Sequence, residues 1–172
     1  MPLSRLQFST PRLDAVAFGS SSDITDDVSR RIANILSPSV KQHLPPDMSA
    51  VVDPVSAAHW LSEILSEATF VSVSLKGTKE LVGFVLLYAI NDTPEKMALR
   101  IGYVVSEEHQ GNGFASEIIE GVVAWCRASG CVSSLAGGAE QANAASIRVL
   151  MKNGFTLEAE SGSDTVFLSL TF

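Results

Sequence analysis

MALRIGYVVSEEHQGNGFASEIIEGVVAWCR, residues 97 to 127, changes its hydrophobic period halfway along. Met97, Leu99, Ile101, Tyr103 and Val105 alternate, which predicts a strand with one apolar face. Phe114, Ala115, Ile118, Ile119, Val122, Val123 and Cys126 recur at helical spacing. Gln110, Gly111, Asn112 and Gly113 join the two as a glycine-rich loop. Backbone amides that open onto a helix N-terminus make a site for an anion, usually a phosphate.

The flanking sequence extends the alternation of strands and helices. Downstream, Gly130 ends the helix and Cys131 to Leu135 reads as a short strand, after which Gly137, Gly138 and Ala139 loosen the backbone. Asn143 caps a helix running through Asn153, with Gly154 as its C′ residue. Phe155 to Glu160 and Thr165 to Leu170 read as two last strands around Ser161–Asp164. Upstream, Asn91 to Pro94 is a turn. Before it, Phe70–Leu75 and Leu81–Ile90 form a hairpin through Lys76, Gly77 and Thr78, and the nearly all-apolar second arm belongs at the centre of a sheet. Asp53 and Pro54 start a helix with Val55, Ala58, Leu61, Ile64, Leu65 and Ala68 on its apolar face. Ser37 to Val52, with three prolines, reads as a loop or irregular helix. Thr25 caps an earlier helix whose stripe is Val28, Ile32, Ile35 and Leu36. Arg12 to Phe18 reads as the first strand. The order is that of a mixed α/β protein, one sheet with helices on its faces.

At 172 residues the expectation is a single domain spanning residues 1 to 172, and 46% hydrophobic content suffices for its core. The N-terminal residues lack a signal peptide's apolar run, and no stretch reaches the roughly 18 apolar residues of a membrane span. A soluble, cytoplasmic protein is expected. Cys126 and Cys131 fit no zinc spacing, so free thiols and no bound metal are expected. A net charge of −7 argues against nucleic-acid binding.

Three readings compete for the loop. A P-loop requires lysine and then Ser or Thr after its last glycine, where Phe114 and Ala115 stand. A dinucleotide fingerprint requires a third glycine where Ser116 stands, and it lies at the start of a domain. The third reading is Q-x-x-G-x-A, formed by Gln110, Gly113 and Ala115. Downstream lies Asn143-Ala-Ala-Ser146, continuing through Arg148 to Gly154-Phe155. The two blocks together resemble the GCN5-related N-acetyltransferase (GNAT) superfamily. Ser9-Thr10-Pro11-Arg12-Leu13 and Ile101-Gly102-Tyr103-Val104-Val105 resemble its ribosomal-protein N-acetyltransferase (RimJ/RimL-type) branch.

The resemblance implies a GNAT-like fold, a single mixed, mostly antiparallel sheet flanked by helices. It also implies acetyl-CoA as co-substrate and a primary amine as acceptor, on a protein N-terminus or a small molecule. No metal, nucleic acid or membrane takes part, and the protein is a monomer or homodimer. Amides of Gly111, Asn112, Gly113, Phe114 and Ala115 suit the pyrophosphate. An open strand edge at Tyr103, Val104 and Val105 would pair with the pantetheine arm, and an amide there would polarise the thioester carbonyl. Gln110, Asn143, Ser146 and Arg148 complete the cofactor set.

The chain departs from the family where chemistry begins. A tyrosine often found seven positions after the capping asparagine is replaced by Leu150. Ser146 then becomes the expected proton donor to sulfur. A glutamate often found before Ile-Gly-Tyr is replaced by Arg100, which cannot accept a proton. Glu107, Glu108, His109 and Glu140 read as solvated loop residues, His43 and His59 have no assigned role, and the general base is not identified. Trp60, Trp125, Phe84 and Tyr88 read as core, and the acceptor pocket is expected from the first two helices and residues 37 to 52. The alternative is a non-catalytic CoA-binding or interaction module on a degenerate fold of this kind.

Overall fold

The computed structural model describes residues 2–93, 95–158 and 164–172. Its strands are β1 (Gln7–Ser9), β2 (Leu13–Ala17), β3 (Thr69–Leu75), β4 (Leu81–Asp92), β5 (Met97–Val105), β6 (Val132–Glu140), β7 (Thr156–Leu157) and β8 (Thr165–Thr171). They form one sheet in the order β1-β2-β3-β4-β5-β6-β8-β7. Its helices are α1 (Asp26–Ile35), α2 (Pro38–Lys41), α3 (Pro46–Ser49), α4 (Pro54–Glu67), α5 (Phe114–Ser129) and α6 (Ala144–Lys152). The ladders among these strands are antiparallel except β5 with β6, which α5 joins as a parallel crossover.

That parallel pair is where the sheet opens. β5 pairs with β6 from Met97↔Val132 to Ile101↔Gly137, and the ladder stops there. β6 continues to Glu140 paired with β8, while β5 continues to Val105 paired with β4. The end of β5 is pressed onto β4, because a Cβ at Gly83 would lie 2.1 Å from the Val104 carbonyl oxygen. Only glycine permits that approach. The edge of β5 beyond Ile101 therefore faces a gap rather than a strand.

Each face of the sheet has its own core. Leu99, Ile101 and Val105 of β5 pack with Ile118, Ile119 and Val122 of α5 and Leu150 of α6. On the other face Phe84, Leu86 and Val104 pack with Ile32 and Ile35 of α1 and Trp60, Leu61 and Ile64 of α4. Phe70 stacks on Phe84 with centroids 5.1 Å apart, and Trp60 lies 5.6 Å from Phe84. Burying each such side chain contributes about 1.5–3 kcal/mol.

Caps set the helix starts as their sequences imply. Thr25 accepts from the Val28 amide at 3.1 Å, Asp53 from Ser56 at 2.8 Å, and Asn143 from Ser146 at 3.2 Å. Hydrogen bonds from Ser56 hold the Asp53 carboxyl below its ordinary value. Gly130 (φ 66°) ends α5, and Gly154 (φ 92°) follows α6.

Several boundaries differ from the sequence reading. β1 and a 3-10 turn at Pro2–Arg5 precede the expected first strand. Residues 37 to 52 contain two one-turn helices, α2 and α3, each entered through proline. The buried stripe of α4 is Ala57, Trp60, Leu61 and Ile64, while Val55 is exposed. Val55 lies about 160° round the helix from Ala57, on the solvent side. β4 runs on to Asp92, and the turn's Pro94 is outside the described residues. Gly137, Gly138 and Ala139 are not a loosened segment but the second half of β6. A Cβ would lie 3.0 Å from Leu150 at Gly137 and 3.0 Å from Phe167 at Gly138, so these glycines make room for packing. The expected strand from Phe155 shortens to β7, and residues 159 to 163 are outside the described residues. No helix among the described residues is long and apolar enough to cross a membrane.

Candidate active site

A cavity of about 730 Å³ lies where β5 ends and α5 and α6 begin. Tyr103, Val104, Val105, Gln110, Gly111, Gly113, Phe114, Ala115, Asn143, Ser146 and Arg148 line it, as does Lys152. Segments far apart in the chain thus meet here, because the open edge of β5, the glycine loop and the start of α6 share one end of the sheet. Gly111 (φ 77°) and Gly113 (φ 81°) are both left-handed, a conformation that suits glycine best. A Cβ at Gly111 would meet nothing within 4 Å, so the loop apex is open space. That bare backbone at the mouth of a 16-residue helix fits a phosphate-bearing group.

The loop is braced from both sides. Gln110 Nε2 donates to the Val105 carbonyl at 3.1 Å, tying loop to strand end. Arg12 Nη1 donates to the Asn112 carbonyl at 2.9 Å, and its guanidinium pairs with Glu117 at 2.7 Å. The same guanidinium lies 4.2 Å from the Phe114 ring centroid. Thr10 also donates to Glu117, so the Ser9–Leu13 segment is the strut of α5's first turn. Burial pushes the Glu117 carboxyl up, but the hydrogen bonds from Thr10 and Arg12 outweigh it and leave it below its ordinary value. Asn112 does not line the cavity. Its side-chain amide donates to the carbonyls of His109 and Gln110, each at 3.2 Å, and so closes the loop on itself.

Tyr103 and Ser146 meet at the back of the cavity, hydroxyl to hydroxyl, 2.7 Å apart. Burial raises the Tyr103 phenol, and the Ser146 contact lowers it by less. The phenol therefore stays protonated through neutral pH. Leu150, where relatives often carry tyrosine, is 1% exposed and belongs to the core. Tyr103 brings a phenol to the cavity from β5 instead, a role the sequence reading missed because it used this residue only for its backbone.

A second cleft of about 290 Å³ opens on the other face. Leu44, Pro45 and Met48 roof it, β4 and β5 supply its floor, and it meets the first cavity at Tyr103, Val104 and Ser146. The gap between β5 and β6 is the reason the two sides communicate. Residues of α1 and α4 are not in its lining, although both helices pack on the same face of the sheet, against Phe84 and Val104. Phe84 is fully buried, as read, and Tyr88 is half-buried against the same core; both border this cleft. Trp60 is buried as expected, its Nε1 donating to Asp47 at 2.9 Å, and Trp125 is half-buried against the α5 side.

Of the residues read as solvated, His109 is placed otherwise, while Glu140 is exposed at the end of β6. His109 is only 12% exposed, hydrogen-bonded through Nδ1 to Ser106 and set edge-on to Phe114. Glu140 binds His43 Nδ1 at 3.1 Å, which ties the segment between α2 and α3 to the end of β6. No local signal links positions so far apart, so this pair was not legible in the sequence. Glu107 accepts from Ser37 at 3.3 Å, Glu108 is exposed, and His59 is exposed on α4. Cys126 is buried and Cys131 half-buried, both free.

The model of the acetyltransferase (GNAT) domain family matches residues 23–156. The chain belongs to that family. An uncharacterised N-acetyltransferase of Bacillus subtilis, YoaA, is 35% identical over 86 residues. That match covers 50% of this chain and 48% of YoaA, so the chain spans about half the length of this curated relative. Among solved structures, a GNAT-family acetyltransferase from Bacillus anthracis superposes with a TM-score of 0.77 at 16% identity, covering 96% of this chain and 98% of its own. RimL, a ribosomal L7/L12 alpha-N-protein acetyltransferase solved with coenzyme A, gives a TM-score of 0.77 at 20% identity, with 97% and 98% covered. At such identities the likeness establishes the single mixed sheet with flanking helices.

Proposed function

We propose that this chain transfers the acetyl group of acetyl-CoA to a primary amine, by direct attack within a ternary complex. The observation that carries this reading is that the open edge of β5, the glycine loop and the Tyr103–Ser146 pair line one cavity. Acetyl-CoA, when bound, supplies an activated thioester. Gly111, Gly113, Phe114 and Ala115 would hold its pyrophosphate through their amides, with Arg148 beside them. Tyr103 to Val105 would align the pantetheine arm as an added strand. An amide at Val104 or Val105 would polarise the thioester carbonyl. As the C–N bond forms and the C–S bond breaks, Ser146 would give its proton to the departing sulfur and recover one from Tyr103, and the proton shed by the acylated nitrogen would pass through water to restore the phenol.

The acceptor would enter from the second cleft, and the substrate for which RimL is named makes a protein N-terminus one class to test beside small amines. A single domain over residues 1–172, a cytoplasmic location and a monomeric or homodimeric state belong to the same reading. Calorimetric titration with acetyl-CoA tests it first, and no binding at millimolar ligand overturns it. Release of free thiol over a panel of amines tests the second step. Tight binding without release on any amine would instead favour a non-catalytic CoA-binding module, the reading that the departures at Arg100 and Leu150 support.

A further inference from the structure

Arg100 takes no part in the proposed transfer, and its surroundings give it another task. The ladders set Arg100 opposite Tyr88 of β4 and Ala136 of β6, and paired residues share a face. Arg100, Gly102 and Val104 therefore lie on the face that also carries Leu86, Tyr88 and Glu140, which is the floor of the second cleft. A Cβ at Gly102 would meet nothing within 4 Å, so the floor is bare between Arg100 and Val104. The Arg100 guanidinium carbon lies 5.6 Å from the Phe167 ring centroid, which steadies the side chain at the cleft wall.

The lining itself carries little charge, although the Asp47 and Glu67 carboxylates act on Tyr88, the cross-strand neighbour of Arg100. Among the described residues lining the cleft, Arg100 is the one Lys or Arg and Glu140 the one carboxylate. Glu140 is engaged with His43, and no described carboxylate lies within ion-pair distance of Arg100. A solvent-exposed guanidinium beside an aromatic ring, with no carboxylate within 4 Å among the described residues, is open to an anion on a ligand. One planar fork matches one carboxylate, whereas a phosphate dianion would call for a second cation that the cleft does not offer. The roof of Leu44, Pro45 and Met48 suits an apolar side chain, and about 290 Å³ suits a small molecule.

We propose that the acceptor is an apolar amino acid whose carboxylate pairs with Arg100 while its amine faces the Tyr103–Ser146 seam. The placement of the amine rests on the acetyl-transfer reading; the carboxylate contact is a binding statement in its own right.

Titration of the protein with N-acetyl-leucine and with N-acetyl-leucinamide, first alone and then saturated with CoA, tests it. Acetylated ligands remove any difference in amine basicity and report binding without turnover. The acid is expected to bind at least tenfold more tightly than the amide. Arg100→Gln should abolish that preference and Arg100→Lys should recover part of it, each with CoA affinity within twofold of the parent as evidence of folding. Equal affinities, no binding of either ligand at millimolar concentration, or a preference that survives Arg100→Gln would overturn the proposal. Tighter binding of N-acetyl-leucyl-aspartamide than of N-acetyl-leucine would also overturn it, in favour of an acidic side chain on a peptide. Failure to bind CoA would defeat the transfer reading, while the acid–amide comparison would still decide this one.

Discussion

The two halves of the site are built from different material. The cavity at the start of α5 brings together a free strand edge, two left-handed glycines and a helix's first turn, beside side chains such as His43, Tyr103 and Ser146. The cleft on the opposite face is walled by side chains from β4, β5, β6, β8 and the α2–α3 segment. A backbone site is made by local conformation and so is constrained residue by residue. A side-chain site is made by which elements happen to face one another, and its residues can change one at a time without disturbing the fold. Substitution of Arg100 for the glutamate common in relatives falls in the second kind of wall, and the loop that resembles the family falls in the first.

The seam between the halves should be the most sensitive point. Ser146→Ala is expected to lower kcat by about a hundredfold, the lower range for a positioned proton donor. Acetyl-CoA affinity should stay within about twofold, because no backbone amide is lost. Steady-state kinetics with a titration of the variant checks both, and an unchanged kcat would remove Ser146 from the transfer step.

Next in size is the strut beneath the loop. Glu117→Gln leaves Arg12 without its carboxylate and should cost about 2 kcal/mol in urea unfolding, the range for charge-assisted hydrogen bonds. Its folded value lies below the ordinary 4.5, so the carboxylate's contribution is present above that pH and is lost as pH falls through the folded value. The gap between parent and variant should therefore shrink below about pH 4.5. A gap that held constant into acid would mean that packing, not charge, braces the loop.

Gly113→Val tests the backbone wall directly. A branched residue at φ 81° is strained by about 1–2 kcal/mol, and CoA binding should weaken about tenfold. Binding of the acceptor-side ligands should not change, and if it did the two halves would not be separable. The smallest effect is expected at Cys126, whose thiol burial pushes up to about 12. Native protein should show no alkylation of Cys126 over the time in which unfolded chain is labelled, as read by mass spectrometry, and CoA should leave that protection unchanged.

The change of hydrophobic period at 97–127, the caps at Thr25, Asp53 and Asn143 and the apolar run of β4 were all legible, because each is a local pattern that the backbone must obey. The Q-x-x-G-x-A loop and the Asn143 block were legible for the same reason, and they carried the family. Arg12 as a strut, His109 as a half-buried ring and the Gly137–Gly138 stretch as strand were not. The first and last depend on partners from other parts of the chain, Glu117 and the side chains of Leu150 and Phe167, and His109 on how the loop folds its ring onto Ser106 and Phe114.

What the sequence by itself determined is therefore the order of elements, the strand–loop–helix at the centre and the chemistry its amides can do. Tertiary structure alone decided that Tyr103 meets Ser146 across 43 residues and His43 meets Glu140 across 97. It also decided that β5 parts from β6 after Ile101, leaving Arg100 at the floor of a cleft. Short-range conformation is written in consecutive residues. Which distant faces come together is set by the packing of the whole sheet, and no single stretch encodes it.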